Sequence, residues 1–138
     1  MADTLLFQLV SPDRLLVEEQ VSEVQIPALD GYIGVLPGHA PLLSELKPGG
    51  VLTYTAGGNV RKVIAVYGGF VEVLPDRVRV LADGAQHSEE IDLSAAQTEL
   101  KTATKQVEEM QGGAADPAVA LDQAMRAQAK VDAAQAQK

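Results

Sequence analysis

Up to about residue 83 the chain alternates short apolar, β-branched runs with clusters of turn formers, and beyond residue 90 it takes up a helical period. The runs are Thr4 to Val10, Arg14 to Val17, Val21 to Ile26, Tyr32 to Leu36, Leu42 to Leu46, Val51 to Thr55, Val60 to Tyr67, Phe70 to Leu74 and Arg77 to Ala82. Ser11-Pro12-Asp13, Glu18 to Gln20, Pro37-Gly38 and Pro48-Gly49-Gly50 divide them, while Gly57-Gly58-Asn59 and Pro75-Asp76 read as hairpin turns. Runs of this length with no helical period between them predict a sandwich or barrel. Alternation places Val21, Glu23 and Gln25 on one face and Ser22, Val24 and Ile26 on the other. Arg77 and Arg79 alternate with Val78 and Val80, as in a strand with one wet face. Phe70 to Val73 is more uniformly apolar and reads as covered on both sides.

In the second part Leu93, Ala96, Leu100, Ala103, Val107 and Met110 are spaced 3-4-3-4-3, the seam of one helix against another. Asp92 or Ser94 can cap its start, and Ser94 with Gln97 fits a capping box. Gly112-Gly113 ends it, and Asp116-Pro117 opens a second helix running from Ala118 to about Ala134. So short a connection makes the two antiparallel. The second helix offers Leu121, Met125 and Val131 as sizeable anchors, with Ala120, Ala124 and Ala127 around them. Such a thin apolar seam implies a hairpin that is marginal alone and exchanges between docked and detached states; a permanently docked hairpin is the alternative. The division expected is an all-β domain over residues 1–86 and a helical hairpin over 87–138.

Composition narrows the function. Hydrophobic residues make up 46% of the 138, enough for a core, while aromatics are only 4%, so that core rests on Leu, Val, Ile and Ala. The formal net charge of −8 disfavours nucleic acid, whose phosphates need a basic surface. The acid excess runs through both halves, leaving neither a basic patch for anionic lipid. The absence of cysteine excludes disulfides, thiolate chemistry and Cys-ligated metal. Met1-Ala2-Asp3-Thr4 does not read as a signal peptide, and no apolar stretch is long enough to cross a bilayer. A protein of the cytoplasm or a similar compartment is expected.

Candidate chemistry is sparse. His39 and His87 are the only histidines, and neither has a second ligand at metal spacing. His39 stands between Pro37-Gly38 and Pro41, which suits a turn histidine better than a catalytic base. There is no Gly-x-Ser-x-Gly elbow and no phosphate loop ending in Gly-Lys-Ser/Thr. Gly31-x-x-Gly34 and Gly68-Gly69 read as turn or close-packing glycines. Glu89-Glu90-Asp92 reads as a solvated linker and helix cap, not a metal site. No catalytic residue, metal site or resident cofactor is expected.

The segment Gly31-Tyr-Ile-Gly-Val-Leu-Pro-Gly-His-Ala-Pro-Leu-Leu43 resembles a G-x-x-G-x-x-P-G-H-x-P-L element of the epsilon subunit of F-type ATP synthases. Ser11-Pro12-Asp13-Arg14, Lys47-Pro48-Gly49 and Gly68-Gly69-Phe70-Val71-Glu72-Val73 agree with that family in order, and the likeness runs essentially the whole chain. It implies a ten-stranded β-sandwich joined to two C-terminal helices. It also implies a non-catalytic rotor subunit that couples the gamma subunit to the membrane-embedded c-ring, on the cytoplasmic face of a bacterial plasma membrane, without inserting into it. By position, Asp30, Gly31 and Tyr32 fall where the family meets the c-ring, and Gly38, His39 and Pro41 shape the adjoining turn; turn geometry alone is the competing account of the glycines and prolines.

The resemblance also exposes departures. Some bacterial members bind ATP through I/L-D-x-x-R-A at the start of the first helix; here Ile91-Asp92-Leu93-Ser94-Ala95-Ala96 puts Ala95 where the arginine would be. Without that guanidinium a phosphate cluster loses its bidentate donor, so ATP binding is expected to be weak or absent. In the family an extended hairpin reaches the catalytic alpha and beta subunits with basic side chains. Here the hairpin is net acidic, its second helix carrying only Arg126, Lys130 and Lys138, so mild inhibition of ATP hydrolysis, or inhibition by another route, is expected. Asp92, Arg126 and Lys130 are the candidate regulatory residues. Two rival readings are a free-standing sandwich binding sugar or peptide and a nucleotide-sensing regulator. The first needs exposed aromatics from a set of only Phe7, Tyr32, Tyr54, Tyr67 and Phe70, and the second needs the missing arginine.

Overall fold

The computed structural model describes residues 3–109 and 117–136. Nine strands form in chain order: β1 (Leu5–Val10), β2 (Leu15–Ala28), β3 (Gly31–Val35), β4 (Leu42–Glu45), β5 (Gly50–Ala56), β6 (Val60–Val66), β7 (Gly69–Leu74), β8 (Arg77–Ala82) and β9 (Ala85–His87). Two helices follow, α1 (Leu93–Glu109) and α2 (Pro117–Ala136). The strand order is β4-β7-β8-β1-β2-β5-β6-β9, with β3 also paired to β2. The expected sandwich followed by a two-helix hairpin is what forms, with nine strands among the described residues beside the ten that the resemblance implies.

Two sequence runs, Arg14 to Val17 and Val21 to Ile26, join into the single fourteen-residue β2, because Glu18, Glu19 and Gln20 continue the ladder opposite Gln8, Phe7 and Leu6 of β1. Its first half pairs with β1 and its second half with β3 and β5, so this one strand belongs to both layers of the sandwich. The change of partner is accompanied by a register shift between Val21 and Glu23. The extra residue, Ser22, is a bulge, and a bulge bends a strand and resets its alternation. Val21 and Val24 are consequently both buried, which corrects the expectation that they lie on opposite faces.

Inward side chains from both layers meet in one core around Leu5, Phe7, Leu9, Val24, Ile26, Leu52, Ile64, Val71 and Val80. Phe7 on β1 and Tyr54 on β5 lie 5.0 Å apart across it, tilted by 53°, an arrangement aromatic quadrupoles favour. The predicted hairpins hold. Leu74 pairs with Arg77 around Pro75-Asp76, and Ala56 pairs with Val60 around a 3₁₀ turn in which Gly58 and Asn59 have φ of 76° and 60°.

The doubly covered strand is β6, not β7. Ile64 and Val66 face the core, whereas Val63 and Ala65 pack outward on Ala129 and Ala133 of α2. Nothing covers the outer face of β7 among the described residues, so Phe70 is exposed and Glu72 with it. In α1 the seam reads as expected, with Ala96 and Ala103 buried and Leu93, Leu100 and Val107 half-buried. Asp92 is the cap, its Oδ1 accepting the Ala95 N–H at 3.2 Å, and Ser94 lies inside the first turn. Met110, Gly112-Gly113 and Asp116 fall outside the described residues. In α2 the contacts are made by Ala120, Ala127, Ala129, Val131 and Ala133, while Leu121 is exposed and is not an anchor. Alanines win these positions because they let the helix backbone come close to both α1 and the sheet.

Candidate functional site

The three residues expected at the c-ring contact and the three expected in an adjoining turn occupy two separate places. Asp30, Gly31 and Tyr32 form the turn from β2 into β3, where Gly31 has φ of 139°. Asp30 and Tyr32 are exposed, and the Lys47 Nζ stands 5.5 Å from the centre of the Tyr32 ring. Gly38, His39 and Pro41 follow the other end of β3, a strand spanning about 13 Å at ordinary rise. There Gly38, with φ of 87°, donates its N–H to the Pro75 carbonyl at 2.8 Å. The His39 N–H donates to Leu36 O at 3.2 Å, and Nδ1 donates to Ala40 O at 2.6 Å. His39 is thus spent on turn geometry beside the β7–β8 hairpin. The two turns do not adjoin.

Sequence reasoning missed a group of exposed apolar residues on one face of the sandwich. Phe70 on β7 lies directly opposite Leu81 on β8, Leu81 lies beside Val10 on β1, and Leu43 on β4 faces Glu72 two pairs along from Phe70. Leu43 is 72% exposed, Phe70 55% and Leu81 52%. The signal was present in the alternation: Phe70 shares a side with Glu72, and Leu43 with Glu45, so both point to solvent. Singly exposed apolar residues are ordinary; these three share one outer face of the neighbouring strands β4, β7 and β8, with Glu45 and Glu72 between them.

The candidate hairpin residues are likewise split. Asp92 caps α1. Arg126 and Lys130 lie on α2 in the groove between the helices, with Glu99, Thr102, Gln106 and Gln123. Lys130 Nζ donates to both Glu99 carboxylate oxygens at 3.1 and 3.0 Å and stands 5.7 Å from the centre of the Tyr67 ring. Tyr67 is held protonated well above its ordinary range, chiefly by burial and further by the Glu99 carboxylate, against an opposing pull from Arg126. Its hydroxyl donates to Gln86 Oε1 at 3.1 Å. Among the described residues no three His, Cys, Asp or Glu side chains are grouped to hold a metal ion, and no helix is long and apolar enough to cross a membrane.

The β domain matches the family model described as the ATP synthase delta/epsilon chain beta-sandwich domain, over residues 4–88. The ATP synthase epsilon chain of Solibacter usitatus is 53% identical over 131 residues, covering 95% of this chain and 96% of that one. The chain belongs to the ATP synthase epsilon chain family. The epsilon chain of Rhodospirillum rubrum is 45% identical over 122 residues, covering 83% of this chain and 90% of that one. Among solved structures, a chain of the Euglena gracilis mitochondrial ATP synthase superposes with a TM-score of 0.77 at 24% identity, covering 99% of this chain and 82% of that chain. This likeness covers the fold from the sandwich through the hairpin.

Proposed function

We propose that this chain is a non-catalytic subunit of the rotor, joining the gamma subunit to the c-ring. Family membership supplies the setting. The observation that carries the assignment of faces is the exposed strip of Leu43, Phe70 and Leu81, which suits an apolar face of gamma. The turn Asp30-Gly31-Tyr32 is small, polar and protruding, and suits the polar loops of a c-ring. The chain would then sit peripherally on the cytoplasmic face of a bacterial plasma membrane, held there by protein contacts.

The hairpin is the regulatory arm in this reading. Reaching the alpha and beta subunits requires it to leave the sheet, and its acidic balance favours only mild inhibition of hydrolysis. Nucleotide is not part of the mechanism: position 95 carries no guanidinium, and the Asp92 carboxylate is engaged in capping. Co-expression with gamma tests the rotor reading, since a stable complex is required of it and failure to co-purify rejects it. Tyr32→Ala tests the foot: rotor assembly and coupling that survive it unchanged remove Tyr32 from the c-ring contact. Deleting residues 88–138 tests the arm, and a several-fold activation of hydrolysis would show a strong brake instead of a mild one.

A further inference from the structure

We propose that Gly49 and Tyr67 form a two-point latch on the sandwich that holds α2 docked, Gly49 by receiving the helix backbone and Tyr67 by receiving Lys130. The idea rests on the reading of the hairpin as a movable arm and supplies the device that sets its position.

Gly49 lies in the turn before β5, and its φ is not among the positive values that call for glycine. What calls for glycine is α2. A Cβ at this position would overlap the Met125 carbonyl group and come 2.6 Å from the Arg126 nitrogen. The obstacle is helix backbone, which cannot step aside as a side chain can, so any larger residue lifts the helix. One and two turns further along, Ala129 and Ala133 rest on Val63 and Ala65. Val51, Tyr67 and Ile91 pack against the same cluster, and dispersion contacts of this kind depend on close approach: a helix lifted at Gly49 loses them together.

The second point is the Lys130 ammonium, flanked by Glu99 on one side and the Tyr67 ring on the other. Only contacts that differ between two states shift the balance between them. Glu99 and Lys130 both belong to the hairpin, so a hairpin that leaves the sheet as a unit carries their ion pair with it in either state. The Tyr67 ring stays behind on the sandwich. The cation–ring contact is therefore the part that favours docking, and the ion pair serves to aim the ammonium. Detachment also uncovers Lys130, one of the few basic groups the hairpin has for an acidic partner. Latch and ligand are then the same side chain.

The chain has no cysteine, so spin labels can be placed on Glu18→Cys in β2 and Lys101→Cys in α1, both exposed, and the distance distribution read on the full-length protein. The parent should show mainly one short distance. Gly49→Ala should raise the detached share about tenfold, Tyr67→Leu several-fold, and Glu99→Gln less than about twofold. A Gly49→Ala distribution matching the parent overturns the proposal, as does a parent already wholly detached. Should circular dichroism show that Gly49→Ala loses the strands, Tyr67→Leu decides, and an unchanged distribution there rejects the latch. No gamma subunit enters this experiment, so its failure leaves the rotor reading standing, and failure to bind gamma leaves the latch standing.

Discussion

Val21 and Val24 are three residues apart on one strand, yet both are fully buried on the same side of it. Ser22 makes this possible by bulging out of the ladder, its hydroxyl donating to Thr55 O at 3.3 Å. Removing Ser22 leaves Val21, Val24 and Ile26 in strict alternation, so the inward set survives and only the bend is lost. Removing Gln25 instead turns Ile26 outward. We expect the Ser22 deletion to fold with a loss of about 2 kcal/mol, and the Gln25 deletion to show no cooperative unfolding transition in urea.

The Asp92 carboxylate satisfies one of the exposed N–H groups at the start of α1. Asp92→Ala should cost about 1 kcal/mol, and Asp92→Asn much less, since its amide oxygen accepts the same bond. Amide exchange confined to the first turn of α1 is the measurement, and equal protection in parent and Asp92→Ala would show that the cap contributes nothing.

Phe70 separates folding from binding. It is more than half exposed, so Phe70→Ala should change stability by less than about 1 kcal/mol. On the proposed gamma-facing strip the same truncation should weaken the complex about tenfold or more, as expected of an aromatic anchor. Titration calorimetry with gamma checks it; an unchanged affinity moves the interface elsewhere.

Alkaline pH should destabilise the protein through two tyrosines. Tyr54 is raised above its ordinary value of 10.0 by burial first, then by hydrogen bonding to Glu19 and by the charges of Glu19 and Glu89. Tyr67 is raised by burial and by Glu99, with Arg126 opposing. The folded state thus prefers the neutral phenols. Their contribution is complete below about pH 10 and is lost as pH rises toward the folded-state values, because only the unfolded chain ionises in that window. Urea midpoints should fall steadily across it, and Tyr54→Phe should flatten the slope.

Calorimetry with ATP on the full chain should detect no micromolar site, given Ala95 at the motif's arginine position. Micromolar affinity would show that Arg126 and Lys130 suffice as phosphate donors.

Much of this was legible from local pattern. Hairpin turns at Gly57-Gly58-Asn59 and Pro75-Asp76, the inward Val78 and Val80, and the α1 seam each depend on neighbours a few residues away. What was hidden depended on distant partners. Glu18 to Gln20 read as a break because their polarity is local, whereas their place in β2 comes from pairing with β1. The three residues of β9 carry no apolar run and are strand only because Ile64 to Val66 offer an edge. Which apolar strand is covered twice could not be read from Val60 to Val73 alone, since it turns on where α2 lands. That landing is governed by alanines and by Gly49, residues whose importance lies in their smallness, while the bulkier Leu121 points to solvent.

The parallel pairing of β1 with β8, Leu6 opposite Arg77 through Val10 opposite Leu81, carries a consequence for synthesis. Strand β1 is made before its partners and finds β2 at once, but its other neighbour is made about seventy residues later. Until then its second edge is unsatisfied and the core has no far wall. The sandwich therefore closes late and cooperatively, with β8 as the closing strand, and the helices appear only once a finished sheet is there to receive them.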